Sequence, residues 1–257
     1  MTDFIHIEHA QRVTTITIAR PEKKNAITQA MYGAMADAVN AYGEDDSSRA
    51  LMFTGEGDYF TSGNDLQDFS MAAAAGGAAN DEVPPVIRFL HAIKDCPKPM
   101  IAAVNGPAIG VGLTLTLHCD LVYAANSATF AAPFVKLGLV PEAASSLLLP
   151  QVIGMAAAND VFMTGRTLTS DEALRMGLIS RVFADADFAA EARALALTVA
   201  NAAPTAMRHT KALLRTQSDT VTDVMATEGE IFAAQLRSPE FMESVAAMMQ
   251  KRPAVYG

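Results

Sequence analysis

Two glycine-containing loops are the first candidates for a site of chemistry in this sequence. One lies in Tyr59–Leu66, which reads YFTSGNDL, and the other in Asn105–Leu113, which reads NGPAIGVGL. Glycine lets the main chain approach a ligand closely and turn sharply into a helix, where free N–H groups and the helix dipole favour an anion. The alternative is that these glycines only make turns. On the first interpretation, the two loops predict a site that stabilises negative charge.

The cysteines and histidines predict neither a disulfide framework nor a metal site. The sequence has two cysteines, Cys96 and Cys119, and its five histidines form no HExxH pattern and no cluster with cysteine. A reducing compartment and the absence of a metal are therefore expected. His118 and Cys119 are expected to be packed core residues without a chemical role.

The charge balance restricts the partners of the chain. Lys and Arg total 19 against 28 Asp and Glu, so the formal charge of −9 repels nucleic acid and anionic membranes at long range. A phosphorylated ligand would need a local basic patch.

The N-terminal residues read as the start of a strand. They show no basic region followed by an apolar stretch, which a signal peptide requires. The most apolar long stretch, Met100–Leu117, is interrupted by Asn105, Pro107 and several glycines, which makes it a poor membrane span. A soluble, cytoplasmic protein is expected.

The elements that must position the loops alternate between strands and helices. Val13–Ile18 has nearly alternating apolar residues, and Ala50–Thr54 and Met100–Val104 are short apolar runs of the kind found in buried strands. Helical spacing from Thr28 to Tyr42 predicts a helix with Thr28 as its N-cap and Gly43 as its C-terminal glycine. Strands that alternate with helices indicate an α/β domain.

Two further segments differ in composition from the rest. The run from Met71 to Asn80 is rich in alanine and glycine, which predicts a mobile loop or frayed helix that could cover a pocket. After Pro204 the pattern is helical and rich in methionine, with no further strand. These methionines are interpreted as core or subunit-interface packing.

Three stretches together resemble the crotonase (enoyl-CoA hydratase/isomerase) superfamily. They are Arg20–Ile27 (RPEKKNAI), Tyr59–Leu66, and Asn105–Leu113 continued to Cys119–Asp120, and the likeness runs from about Phe4 to about Arg252. Each motif is weak alone, but their order and spacing make the combination specific. The resemblance implies an α/β fold, a crotonase-like spiral of ββα units in residues 1–200. It also implies a helical C-terminal region, residues 201–257, that assembles the chain into a homotrimer or a dimer of trimers.

The resemblance also implies the substrate, an acyl-coenzyme A thioester, with no cofactor apart from the coenzyme A of the substrate itself. Reactions at the α-carbon of a thioester pass through an enolate, so the oxygen needs donors held in place. The family's two donors fall on the backbone N–H groups of Asn64 and Val111, whose side chains need not take part. The residues implied to contact the substrate are Lys24, Ala26, Ser62, Gly63, Asn64, Asp65, Leu66, Gly110, Phe134 and Lys251. Lys23 and Arg252 are implied, with Lys24 and Lys251, as candidates for the phosphates of coenzyme A; the alternative is that these side chains are simply solvated. For Asp65, capping of the following helix is an equal alternative.

The carboxylates distinguish between the reactions of this superfamily. Its hydratases use two glutamates to hold one water, and those positions carry Thr114 and Phe134 here. Glu142, a few residues beyond the second position, resembles the single catalytic glutamate of the Δ3,Δ2-enoyl-CoA isomerases. The alternative for Glu142 is a first-turn helix glutamate stabilised by the helix dipole.

The sequence therefore predicts an enoyl-CoA isomerase of fatty-acid degradation that moves a 3-enoyl double bond to the 2-position. A hydratase-like or other crotonase reaction, such as dienoyl isomerisation, is the alternative within the superfamily. A noncatalytic acyl-CoA-binding protein is the alternative from another class, and it would have no need for a carboxylate at Glu142.

Overall fold

The computed structural model describes residues 2–69 and 83–257. The predicted loop between Met71 and Asn80 lies outside the described residues. The chain begins with a hairpin in which β1 (Ile5–Ala10) pairs antiparallel with β2 (Val13–Ile18). The strand predicted at Val13–Ile18 is thereby confirmed.

The first long helix, α1, spans Gln29–Glu44. Thr28 caps it as predicted, because its hydroxyl accepts a hydrogen bond from the Met31 N–H at 3.4 Å. The predicted C-terminal glycine is wrong: Gly43 is inside the helix, and the chain leaves it at Asp45 in an extended conformation with φ −87°. An exit of that kind needs no left-handed residue, so glycine has no special role there.

The main sheet has six strands in the order β1, β2, β3, β4, β6, β9. From β2 onward every pair is parallel. The bounds of the added strands are β3 (Ala50–Gly55), β4 (Met100–Val104), β6 (Leu121–Ala125) and β9 (Arg181–Phe183). The strands predicted at Ala50–Thr54 and Met100–Val104 are confirmed, and β4 is buried at every position, as a central parallel strand must be.

A smaller three-stranded sheet lies beside the glycine loops. It consists of β5 (Ala108–Ile109), β7 (Thr129–Ala131) and β8 (Thr167–Thr169), in that order. β5 and β7 are parallel, and β7 and β8 are antiparallel. Because β5 comes directly before Gly110, this small sheet holds the start of the next helix in place.

Helices cover both faces of the main sheet. Those after α1 are α2 (Pro85–Asp95), α3 (Val111–His118), α4 (Ser145–Ile153), α5 (Met155–Thr164), α6 (Ser170–Met176), α7 (Phe188–Ala200), α8 (Pro204–Leu214), α9 (Ser218–Gln235) and α10 (Pro239–Met249). Two 3₁₀ helices span Pro21–Lys23 and Phe134–Leu137. On one face Tyr32 of α1 packs on Phe89 of α2, with ring centroids 5.5 Å apart, and on the other face Phe188 and Ala192 of α7 pack in a second apolar cluster.

The chain after Pro204 forms α8, α9 and α10, and no strand occurs among these described residues, as predicted. Phe241 of α10 is buried against the main core, where Gly138 leaves it room: a Cβ on Gly138 would lie 2.8 Å from the Phe241 backbone nitrogen. The division into residues 1–200 and 201–257 stays a prediction. Among the helices described, none combines the length and apolarity that crossing a bilayer requires.

Candidate active site

The three motif stretches lie side by side in the structure. Ile27 donates to the Gly63 carbonyl at 2.9 Å, and Asp65 donates back to the Ile27 carbonyl at 2.9 Å. The second stretch is joined to the third in the same way, because the Ile109 N–H reaches the Thr61 carbonyl at 3.0 Å. These isolated parallel bridges bring together segments that are far apart in the chain.

Glycine is required where the two loops meet. Gly63 has φ +92°, and a Cβ there would lie 2.9 Å from the Ile109 carbonyl oxygen. Any side chain would therefore push the loops apart and strain the backbone. Gly110 has φ +59° and turns the chain from β5 into α3, so that Val111 becomes the first residue of that helix.

The backbone N–H groups of Asn64 and Val111 are the predicted oxyanion donors. Within the described part of the chain, neither N–H donates to any oxygen. For Val111 this follows from its position, since the first N–H groups of a helix have no partner inside it. Both residues line the same cavity.

That cavity has a volume of about 540 Å³ and walls that are largely apolar. Seven residues of the sequence prediction line it: Ser62, Gly63, Asn64, Leu66, Gly110, Val111 and Phe134. The C-terminal section adds Phe232, Ser244, Ala247 and Met248, and Arg252, one of the basic candidates from the sequence, also lines the cavity. Sequence motifs did not indicate Phe232, Ser244, Ala247 or Met248, because their only signal is the general helical pattern after Pro204.

Four of the predicted contact residues lie outside this lining. Asp65 forms an ion pair with Arg20 at 2.7 Å and accepts a hydrogen bond from the Asp68 N–H at 3.2 Å, which is the capping role. Lys24 is exposed with its ammonium 5.4 Å from the centre of the Tyr59 ring, and Lys251 is also exposed. The Ala26 carbonyl oxygen accepts a hydrogen bond from Arg20 at 3.1 Å. Contact of Lys24, Ala26 and Lys251 with coenzyme A stays a prediction.

Glu142 is half-buried and is not among the residues that line the cavity, although Leu139, three positions earlier, is one of them. Its side chain accepts a hydrogen bond of 2.5 Å from the Thr114 hydroxyl, one turn into the helix that Val111 begins. Burial raises the Glu142 pKa to about 7; the Thr114 hydrogen bond opposes this rise and the nearby charge of Glu228 adds to it. Because α4 begins only at Ser145, Glu142 is not the first-turn glutamate of the alternative interpretation.

Tyr32 is a part of the site that the sequence did not indicate. Its hydroxyl, fully buried on α1, donates a 2.5 Å hydrogen bond to the Asn64 side-chain oxygen. Burial raises the Tyr32 pKa most, and the nearby charge of Glu142 raises it further. Tyr32 therefore contacts Asn64 directly and also interacts electrostatically with Glu142. The sequence interpretation assigned no role to the Asn64 side chain, whereas here it is the partner of a buried hydroxyl.

The positions that carry glutamates in hydratases hold two different kinds of side chain. Thr114 is fully buried and bonded to Glu142, while the Phe134 ring lines the cavity. Neither can act as a base at neutral pH. Among the residues that the structure describes, no group of three or more His, Cys, Asp and Glu side chains is arranged to hold a metal.

A larger cavity of about 790 Å³ lies between α8 and the end of α3, where His118 and Cys119 are buried in the core as predicted. Its charged groups already have partners. Lys211 forms an ion pair with Asp120 at 2.8 Å, and Arg215 donates to the Cys119 carbonyl at 2.9 Å. The smaller cavity, which both glycine loops line, is therefore the candidate active site.

Comparisons with known proteins agree with this architecture. A family model described as Enoyl-CoA hydratase/isomerase matches residues 8–257. A solved structure, an enoyl-CoA hydratase/isomerase from Pseudoalteromonas atlantica T6c, is 48% identical with a TM-score of 0.93, covering 99% of this chain and 100% of that one. The predicted crotonase-like α/β fold is thereby confirmed.

Two curated relatives carry the names of different reactions. Enoyl-CoA delta isomerase 2 of Rattus norvegicus is 38% identical over 245 residues, which cover 94% of this chain and 62% of the rat protein. This chain thus spans less than two thirds of the length of that relative. 4-Chlorobenzoyl coenzyme A dehalogenase-2 of an Arthrobacter species is 33% identical over 254 residues, covering 96% of this chain and 91% of the dehalogenase.

Proposed function

This chain belongs to the enoyl-CoA hydratase/isomerase (crotonase) family, and from that premise we propose that it is a Δ3,Δ2-enoyl-CoA isomerase. Its substrate would be a 3-enoyl-coenzyme A thioester of fatty-acid degradation and its product the 2-enoyl isomer. Such a proton shift needs no cofactor apart from the coenzyme A that the substrate carries.

The main support for this proposal is that Glu142 is, among the described residues, the one carboxylate in position to act as a base and has a raised pKa. Its pKa of about 7 suits a group that must both accept and release a proton near neutral pH. No described lining residue carries a carboxylate that could act as a second base, and the two hydratase positions hold Thr114 and Phe134. One base is what a 1,3-proton shift requires, whereas hydration in this family uses two.

The reaction would proceed in two proton transfers. Glu142 removes a proton from C2 of the 3-enoyl thioester, and the electrons of that C–H bond pass into a dienolate whose charge is on the thioester oxygen. The same carboxyl then returns the proton to C4, and the double bond is left between C2 and C3. Atoms and electrons balance without any further reactant.

The free N–H groups of Asn64 and Val111 support the first step. Both line the cavity, and both lack a partner among the described residues. Donors that are already in place when the oxygen becomes negative stabilise the transition state without reorganisation. The walls of the cavity are largely apolar, and hydrogen bonds to a charged oxygen are stronger in surroundings of low dielectric constant.

The test is to present 3-enoyl-CoA and 2-enoyl-CoA thioesters separately and to follow mass and conjugated-thioester absorbance. An isomerase converts the first substrate into the second without a change in mass. Addition of 18 Da to 2-enoyl-CoA at a comparable rate would mean hydration and overturn the proposal, because water has that mass. Binding of both thioesters without turnover of either would indicate a noncatalytic acyl-CoA-binding protein.

A further inference from the structure

The loop that presents Glu142 has an unfavourable backbone conformation. Ala143 has φ +58° and Ala144 has φ +54°, so two consecutive residues with a Cβ are left-handed between Glu142 and the start of α4. This region is costly for residues other than glycine and persists only where surrounding contacts enforce it. The contacts that enforce it are therefore part of how Glu142 is placed.

Glu228 supplies two of these contacts from a distant part of the chain. It lies in the middle of α9 and is 7% exposed. One of its carboxylate oxygens accepts from the Ala144 N–H at 2.6 Å and the other from the Ser146 N–H at 2.9 Å. These N–H groups are at the N-terminus of α4, where helix geometry leaves them without partners and where a negative charge is favoured.

His118 holds the other side of the same loop. Its Nε2 lies 2.8 Å from the Ala143 carbonyl oxygen, so that nitrogen carries the proton and donates. Burial lowers the His118 pKa to about 4, which keeps the ring neutral under ordinary conditions. The carbonyl of Ala143 and the N–H of Ala144 are thus both held by buried side chains.

We propose that Glu228 is a positioning residue for Glu142: its carboxylate, bonded to the Ala144 and Ser146 N–H groups, maintains the left-handed turn that presents Glu142 to the substrate. The C-terminal helical region thereby takes part in catalysis without touching the substrate. This inference rests on the proposed role of Glu142 as the base. It assigns to α9 a function beyond covering the cavity.

The decisive variant is Glu228→Gln, with Glu230→Gln as its matched control. Glu230 lies on the same helix but is exposed, so the control makes the same chemical change away from the loop. In Glu228→Gln, the new NH₂ group faces one of the two loop N–H groups, and one hydrogen bond is lost. We expect kcat for 3-enoyl-CoA to fall on the order of tenfold or more with KM nearly unchanged, because a displaced base costs turnover rather than binding.

Hydrogen exchange of the loop tests the proposal without substrate. We expect the Ala144 and Ser146 amides to exchange on the order of tenfold faster in Glu228→Gln than in Glu230→Gln, because hydrogen bonds to charged groups protect by at least that factor. Exchange and kcat equal to those of the control would overturn the role of Glu228. A wild-type protein without isomerase activity would overturn the proposed function alone, since the exchange comparison still decides the positioning role.

The substitution Ala144→Gly, at one of the two left-handed positions, tests whether Glu228 acts by positioning the Glu142 loop or only by stabilising the fold. Ala144→Gly removes the penalty of the left-handed backbone, so in the Glu228→Gln background it should restore part of kcat. A purely structural Glu228 would show no such rescue. If Glu228→Gln does not fold, Glu228→Asp replaces it: the shorter side chain keeps the charge, and the same faster exchange is expected, while wild-type exchange would overturn the proposal.

Discussion

At the scale of single residues, burial raises the Glu142 pKa to about 7 and so decides the pH range in which the side chain can act. The base must be unprotonated to remove a proton from carbon. As pH falls below about 7, the protonated fraction grows and kcat/KM should fall in proportion. A pH–rate profile without an acid limb near that value would contradict the assignment of Glu142 as the base.

Glu142→Gln separates a base from a binding group. The amide keeps the size of the side chain and can still accept from Thr114, but it cannot take a proton from carbon. We expect isomerisation to be abolished while the thioester dissociation constant is unchanged, as measured by steady-state kinetics and by titration of a saturated acyl-CoA. Joint loss of binding and turnover in a folded variant would identify an anchor instead.

Thr114 tunes that base through its 2.5 Å hydrogen bond to the carboxylate. The bond stabilises the charged form of Glu142, so Thr114→Val should raise the Glu142 pKa further and move the acid limb to higher pH. Thr116→Val is the control, because Thr116 is also buried on α3 but donates to the Leu113 carbonyl. If the acid limb of the pH–rate profile lay at the same pH in Thr114→Val as in the wild type, this hydrogen bond would not be formed in solution.

At the scale of elements, the start of α3 supplies one of the two proposed oxyanion donors. Val111 is the first residue of the helix, a position that tolerates proline because its N–H has no helical partner. Val111→Pro should therefore fold and yet lose on the order of 10²-fold in kcat. Val111→Ala keeps the N–H and should retain most activity. Equal turnover in the two variants would remove Val111 from the oxyanion site.

At the scale of the whole molecule, the C-terminal helices leave many apolar side chains exposed. Leu213 is 76% exposed, Leu214 78% and Met249 81%, so an isolated chain would present these side chains to water. We expect a trimer or a dimer of trimers, as the family resemblance implied. Light scattering at micromolar concentration should give three or six times the chain mass of 27.2 kDa, and a monomeric mass would contradict the prediction.

Truncation after Asn201 is expected to dissociate that assembly, but it would also remove Phe232 and Met248 from the cavity wall and Glu228 from the Glu142 loop. Loss of activity in the truncated chain would therefore not by itself report on assembly. The paired substitution of Leu213 and Leu214 by serine is the cleaner variant, because neither residue is bonded to the site. It should lower the mass in solution while the monomer keeps its helical content.

Much of the architecture is determined by local sequence. Short-range periodicity correctly predicts the strands at Val13–Ile18 and Met100–Val104. Capping chemistry correctly predicts Thr28 as the N-cap of α1. Gly43 was misjudged because a glycine near a helix end indicates a left-handed exit only if the chain takes one. The family resemblance, through its two oxyanion donors, likewise implied that the Asn64 and Val111 loops would lie at one site.

Tertiary structure alone decided how the site is held. Glu228 meets the Ala144 N–H across 84 positions, and Tyr32 meets Asn64 across 32, and neither pair shares a motif or a period. Helical patterning predicts which face of α1 or α9 is buried, but not which buried polar atom faces which backbone group. The sequence thus determined the candidate base and the loops, whereas three-dimensional packing determined the environment that gives Glu142 a pKa of about 7. The physical reason is that desolvation and hydrogen bonding depend on every group nearby in space, wherever it lies in the chain.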